Sequence, residues 1–159
     1  EGKGIDQFKK LGEKLKENPL DRRMIVSAWN PLDIPNMALP PCHYGFQVTV
    51  INGRLNLLWN QRSVDSALGL PFNIASYALL LHLLAKEAGL KEGKLIGFLG
   101  DTHVYENHVE GLKEQLSREP KTLPKIKTEN FTSIFNWKYT DSIIENYEAH
   151  SRIKFEIAV

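Results

Sequence analysis

The stretch Phe46-Gln47-Val48-Thr49-Val50-Ile51-Asn52-Gly53-Arg54-Leu55-Asn56-Leu57-Leu58-Trp59 decides the fold class. Two β-prone runs flank Asn52-Gly53, a dipeptide suited to a tight turn because both of its positions need positive φ. The stretch reads as a β-hairpin with strands over 46–51 and 55–59. Toward the C-terminus, residues 72–88 are apolar nearly all round and are closed by Gly89. That pattern predicts a buried helix with a glycine cap. Residues 95–99 then read as a buried strand, and 106–118 as an amphipathic helix ended before Pro120. Toward the N-terminus, 24–29 reads as a strand, followed by a loop carrying Pro31, Pro35, Pro40 and Pro41. In front of it Ile5, Phe8, Leu11 and Leu15 fall at helical spacing among lysines and glutamates, so 5–17 is an amphipathic surface helix ended by Asn18-Pro19. Ile126, 131–137 and 153–157 are expected as short strands or extended pieces. Hairpin-connected strands with segregated helices argue for an α+β fold, a mixed sheet packed by one long buried helix and flanking helices.

No repeat, low-complexity tract or linker interrupts the chain, so residues 1–159 are expected to form a single domain. With 42% hydrophobic and 25% charged residues, the chain can bury a sizeable core. A formal net charge of +1 supplies no global field for nucleic acid or an acidic membrane, so any basic site is local. The longest apolar run, 78–85, is interrupted by His82 and is too short to span a bilayer. One cysteine, Cys42, excludes an internal disulfide framework and fits a reducing compartment. With no signal peptide visible, the cytoplasm is the expected location. The start at Glu1 without methionine hints that something upstream is absent.

Cys42 lies in Ala38-Leu39-Pro40-Pro41-Cys42-His43. It reads either as a small buried hydrophobe or as a nucleophile held in place by the stiff proline pair. Arg22-Arg23 and Gln61-Arg62-Ser63 each place guanidinium groups beside a strand end, either as solvated surface or as an oxyanion clamp. An arginine close to Cys42 would favour the reactive thiolate. Asp65 is open between salt-bridge partner and ligand acceptor, and Asn73 sits where it can cap the long helix. His103 and Tyr105 fall on one face if the strand before them continues. Five histidines invite a metal site, but no Cys/His spacing supports one, and no glycine-rich phosphate loop is present.

Taken in order, several blocks resemble the thymidylate synthase family. They are 22–31, Met37-Ala38-Leu39-Pro40-Pro41-Cys42-His43, Gln61-Arg62-Ser63-Val64-Asp65, 68–77, Gly100-Asp101-Thr102-His103-Val104-Tyr105, and the terminal Ile157-Ala158-Val159. The resemblance runs from about Ile5 to the last residue and implies reductive methylation of dUMP to dTMP. Methylenetetrahydrofolate would supply both carbon and hydride. It implies Cys42 as the nucleophile at carbon six of the uracil, making carbon five an enolate-like attacker of the one-carbon unit. Arg62 and Ser63 would bind the substrate phosphate, Arg62 near enough to Cys42 to favour its thiolate, and Gln61 and His43 are implied on the substrate side. Arg22 and Arg23 would reach the neighbouring subunit's site in a homodimer. Asn73 would give a donor to the uracil carbonyl and an acceptor to the ring N–H, a pattern that cytosine presents reversed. His103 and Tyr105 would hold the deoxyribose hydroxyl. Asp65, with Leu68, Gly69 and Phe72, would take the folate's pterin ring, and Ala158 and Val159 the closing C-terminus.

The departure from the family's pattern is at the front. An arginine, a proton-handling glutamate and a folate-wall tryptophan expected there have no counterpart, so the 159 residues alone are expected to turn over little. Trp59 has no functional account, and the stretch 146–150 keeps Tyr147 and His150 without the flanking prolines expected. Two alternatives stand beside the leading reading. One is a deoxyuridylate hydroxymethylase with the same thiol and folate. The other is a catalytically incomplete nucleotide- or RNA-binding fragment, for which the near-neutral charge offers no support.

Overall fold

The structure is a computed structural model and describes residues 4–157. Helix α1 (Gln7–Glu17) opens on Asp6, whose carboxylate accepts the Lys9 N–H at 2.9 Å, and presents Leu11 and Leu15 inward. Strand β1 (Ile25–Ser27) is shorter than expected. Strands β2 (His43–Ile51) and β3 (Arg54–Asp65) form the expected hairpin, with Asn52 at φ 51 and Gly53 at φ 71. Both strands extend beyond the apolar run. β3 continues through the mostly polar residues 61–65 because strand β4 (Lys91–His103) pairs alongside, Ser63 opposite Asp101 and Asp65 opposite His103. Sheet pairing there overrides a local pattern that has no β periodicity. The sheet order is β1-β2-β3-β4, antiparallel except for the parallel β3–β4 pair, which helix α2 (Gly69–Glu87) connects. Mixed sheet and helices together make the α+β fold that the patterning predicts.

One face of this sheet carries the core. Phe46 and Val48 of β2 and Leu55, Leu57 and Trp59 of β3 pack against Leu11 and Leu15 of α1 and Leu81, Leu84 and Ala85 of α2. Fully burying leucines such as Leu55, Leu57 and Leu84 stabilises the fold by about 2 kcal/mol each. Gly97 sits beneath the Trp59 indole, where an added Cβ would lie 2.4 Å from a ring carbon, so this crossing of β3 and β4 admits only glycine.

Four expectations about α2 and β4 are corrected. Helix α2 is buried only in its C-terminal half; Phe72, 72% exposed, and Ile74 lie open in the other half, with no described element over them. Its start lies at Gly69 rather than 72, because Asp65 Oδ1 accepts the Ala67 and Leu68 N–H groups at 3.0 and 3.2 Å and turns the chain early. Pro71 is tolerated in the first turn, where no N–H partner is needed. Asn73 therefore does not cap the helix; it stands inside it, with its side chain free for other work. Strand β4 is not buried but lies at the sheet edge, with Ile96 and Phe98 exposed.

Beyond β4, a 3₁₀ turn (Glu106–His108) leads into helix α3 (Val109–Leu116), in place of one continuous helix. Strands β5 (Lys125–Thr128) and β6 (Ser142–Glu145) form a separate two-stranded sheet. No strand forms over 131–137, where 134–136 is a turn, or over 153–157, whose Glu156 carbonyl is held by Asn107 and His108 side chains instead. No described helix is long and apolar enough to cross a membrane.

Candidate active site

The candidate residues gather where β2 begins and where β3 and β4 end, since antiparallel β2 starts at the carboxyl ends of its neighbours. His43 pairs with Gln61 across β2–β3, and a register shift between His43 and Gly45 bends the strand entry there. Immediately before it the Pro40-Pro41-Cys42 segment is held from β3. The Arg62 backbone N–H donates to the Cys42 carbonyl at 2.8 Å. The Arg62 side chain donates from Nε to the Pro41 carbonyl at 3.1 Å and from Nη2 to the Pro40 carbonyl at 2.7 Å. The same Nη2 lies 3.9 Å from Cys42 Sγ. A half-exposed thiol therefore sits against a guanidinium whose planar fork is locked by two carbonyls. Arg62 also lines a cavity of about 430 Å³ with Ser27, Trp29, Pro31 and Tyr44. Its Nη1 and the Ser63 hydroxyl have no hydrogen-bond partner among the described residues.

A second cluster lies between β3 and α2. Gln61, 3% exposed, donates from Nε2 to the Ser63 carbonyl and to Asn73 Oδ1, both at 3.0 Å. Asn73 Nδ2 reaches His43 Nε2 at 3.4 Å, and His43 Nδ1 lies 3.4 Å from the Tyr77 hydroxyl. Burial pushes the Tyr77 phenol above its usual range, so it stays a neutral hydroxyl at ordinary pH. The Tyr77 ring stacks on Trp59 at 5.2 Å with 13° between planes, and the Trp59 Nε1–H donates to Gln61 Oε1 at 3.2 Å.

Asp65 holds the turn into α2 with Oδ1, while Oδ2 has no hydrogen-bond partner among the described residues. Leu68 and Gly69 adjoin it at the helix start, with Phe72 outward on the next residues. His103 ends β4 beside Asp65. The strand does not run on to Tyr105, yet the His103 and Tyr105 rings meet edge to face at 5.0 Å. Arg22 and Arg23 stand apart on the surface before β1. Arg23 pairs with Asp21 at 3.6 Å, and among the described residues no hydrogen bond joins either arginine to the Cys42 cluster. Ala158 and Val159 lie outside the described residues.

The sequence reading missed Trp59 and Tyr77 as parts of this site. Both had a signal: Tyr77 is four residues after Asn73 on one helix face, and Trp59 is two before Gln61 on one strand face. It also missed that the proline carbonyls, not only the proline rings, hold Cys42.

The fold and site together define an α+β domain with a thiol bracketed by arginine at the carboxyl ends of a parallel strand pair. Comparison with known proteins narrows that class. The family model for thymidylate synthase matches residues 1–159. The chain is 52% identical over 160 residues to the thymidylate synthase of Listeria monocytogenes serotype 4b, covering all of this chain and 51% of that protein. It is 49% identical over 156 residues to the thymidylate synthase of Mycoplasma pneumoniae, covering 98% of this chain and 54% of that protein. It is 50% identical over 156 residues to the bifunctional dihydrofolate reductase-thymidylate synthase of Paramecium tetraurelia, covering 98% of this chain and 34% of that protein. The chain belongs to the thymidylate synthase family. It spans about half the length of the two single-function relatives and about a third of the bifunctional one.

Proposed function

We propose that this chain, acting as one domain, supplies the nucleophile and the base-reading groups for reductive methylation of dUMP to dTMP by methylenetetrahydrofolate. The observation that carries the reading is the bracket in which Arg62 holds Pro40, Pro41 and Cys42, with its cation beside the thiol. In this reading Cys42 sulfur bonds to carbon six of the uracil, and the ring double-bond pair moves to carbon five, delocalised onto the neighbouring carbonyl. Carbon five bonds to the folate's one-carbon unit as its first folate C–N bond breaks. Loss of the carbon-five proton then expels the folate nitrogen as the second C–N bond breaks, leaving an exocyclic methylene on the ring. A hydride from the folate adds to that methylene to give methyl, the ring double bond re-forms as the Cys42–carbon six bond breaks, and the folate leaves oxidised as dihydrofolate, so electrons balance.

The free Nη1 of Arg62 and the Ser63 hydroxyl are donors suited to the substrate phosphate. Asn73 offers an amide edge to the uracil, with Gln61 and His43 supporting it, and the His103–Tyr105 pair suits the deoxyribose hydroxyl. Asp65 retains one uncommitted carboxylate oxygen for a pterin N–H, beside Leu68, Gly69 and the exposed Phe72 ring. Ala158 and Val159 are assigned to the folate side by family resemblance. No group of three His, Cys, Asp or Glu placed for a metal exists among the described residues, and the reading uses none.

A homodimer belongs to the same reading. Ile25, Gln47, Leu58 and Ile96 form one row across the sheet face opposite the core, and Phe98 lies exposed beside it. Arg22 and Arg23, exposed just before β1, are assigned by family resemblance to reach a two-fold partner's site. A monomeric sedimentation mass at micromolar concentration refutes this part. The cytoplasm is the compartment that suits one free thiol.

The test is mass spectrometry after incubation with fluorodeoxyuridylate and methylenetetrahydrofolate, on the 159-residue chain and on any longer polypeptide that carries it. Fluorine at carbon five cannot leave as a proton does, so the site should stall as a covalent ternary adduct that disappears in Cys42→Ser. No adduct in either polypeptide, or one that persists in Cys42→Ser, refutes the reading.

A further inference from the structure

Five side chains around Asn73 close a ring. Trp59 donates to Gln61, Gln61 donates to Asn73, Asn73 reaches His43, His43 reaches Tyr77, and Tyr77 stacks back on Trp59. The direction of the proton chain is legible because one member cannot reverse. An indole N–H only donates, whereas an amide side chain can rotate half a turn and exchange its donor and acceptor. Trp59 Nε1–H at 3.2 Å therefore requires oxygen on the near side of Gln61 and puts its NH₂ toward Asn73. The Ser63 carbonyl, which only accepts, agrees with that orientation. Asn73 must then face Gln61 with Oδ1 and His43 with Nδ2. A neutral His43 consequently accepts on Nε2 and carries its proton on Nδ1, toward Tyr77.

This orientation leaves Asn73 with one oxygen lone pair and one amide proton uncommitted. We propose that Trp59 is the positioning residue that sets the polarity of the Gln61–Asn73 amide pair and thereby makes Asn73 present a uracil-matching edge rather than a cytosine-matching one. The proposal rests on the reading of Asn73 as the base-contacting residue. Uracil presents a ring N–H donor beside a carbonyl acceptor; cytosine presents a ring nitrogen acceptor beside an amino donor. An Asn73 amide released from its anchor can turn over and match cytosine as well as it matched uracil. Held by the relay, it leaves cytosine facing donor to donor and acceptor to acceptor in a part-buried site, a mismatch that rejects more strongly than the loss of an apolar contact. The indole also has nowhere else to go: Tyr77 covers one face, and Gly97 lies against the ring with no room for a Cβ.

The test is calorimetric titration of the protein with dUMP and with dCMP, in the unmodified chain and in Trp59→Phe. Phenylalanine keeps an aromatic ring against Tyr77 and removes the N–H anchor together with part of the indole's bulk, which a structural effect would register on both nucleotides alike. The expected result is a fall of about tenfold or more in the ratio of the dCMP to the dUMP dissociation constant, one tenfold step being about 1.4 kcal/mol. A purely structural role for Trp59 weakens both nucleotides alike and leaves the ratio unchanged; that outcome overturns the proposal. If Trp59→Phe does not fold, Gln61→Leu carries the test, because the polarity passes through that amide, and an unchanged ratio there overturns it equally. Failure of the unmodified protein to prefer dUMP over dCMP sinks the parent reading of Asn73 and this proposal with it. An unmodified preference that survives Trp59→Phe sinks this proposal alone.

Discussion

Replacing Arg62 by methionine keeps most of the side chain's apolar stem and removes the guanidinium that anchors the cysteine loop. The two hydrogen bonds lost are Nε to the Pro41 carbonyl at 3.1 Å and Nη2 to the Pro40 carbonyl at 2.7 Å. Bonds to a charged donor are worth about 1.5–3 kcal/mol each. Arg62 is half-buried, so water can replace part of what is lost, and the lower end applies to both. The backbone bond from Arg62 to the Cys42 carbonyl survives the substitution. The sum is a destabilisation of about 3 kcal/mol, which for a chain of this size lowers the melting midpoint by roughly 6–12 °C. Urea denaturation of Arg62→Met measures the energy, with Arg23→Met as the control. The Arg23 side chain is 88% exposed and holds only a surface pair with Asp21, so its removal should cost less than about 0.5 kcal/mol. Limited proteolysis localises the loss: cleavage should rise between residues 31 and 42 in Arg62→Met and nowhere else. A loss under about 1 kcal/mol with unchanged proteolysis refutes the claim that this guanidinium holds the cysteine loop.

Two further outcomes follow from the packing around the site. Glu87 is nearly enclosed at the end of α2, paired with Lys16 of α1 and accepting the Ile134 N–H at 2.7 Å. Burial pushes its carboxyl up, but the Lys16 bond and charge and the Ile134 N–H outweigh burial and hold it below the usual 4.5. A depressed carboxylate contributes stability that is complete above its unfolded value and is lost as pH falls through the folded one. Glu87→Gln should therefore be less stable than the parent by about 1–2 kcal/mol at neutral pH, the gap closing as pH falls through the lowered folded-state value; urea titrations giving a pH-independent gap contradict this. At Gly97, an added methyl would lie 2.4 and 2.5 Å from two carbons of the Trp59 ring, which cannot bend aside like a flexible chain. Gly97→Ala should cost about 1–3 kcal/mol and shift the Trp59 emission, and an unaltered thermal midpoint and spectrum argue against the close crossing.

The hairpin was legible because its determinants are local: Asn52-Gly53 accepts positive φ at both positions, and the flanking residues alternate or cluster as strands do. The glycine stop of α2 was legible for the same reason, Gly89 lying at φ 65. The order of sequence blocks sufficed to name the family and to nominate Cys42, Arg62 and Asn73. The extension of β3 through Gln61, Arg62 and Ser63 was not legible, because those residues are strand only by virtue of the neighbour that pairs with them. Nor was the exposure of Phe98 on β4. An apolar strand reads alike at the centre and at the edge of a sheet, and only strand order distinguishes them.

Asn73 shows the division most clearly. Its identity as a residue with both donor and acceptor is a property of the sequence, and so is its place four residues before Tyr77. Local reasoning gave it a helix cap, but the N-cap is Leu68, after a turn closed by Asp65 that starts the helix three residues earlier than expected. Which way its amide faces is decided by Gln61, whose own amide is oriented by the Trp59 N–H and the Ser63 carbonyl on a different element. Sequence determines which hydrogen-bonding groups exist, whereas the direction of each bond depends on partners that only folding brings within 3 Å or so. A residue's chemistry can thus be read one position at a time, but its polarity in a site belongs to the tertiary structure.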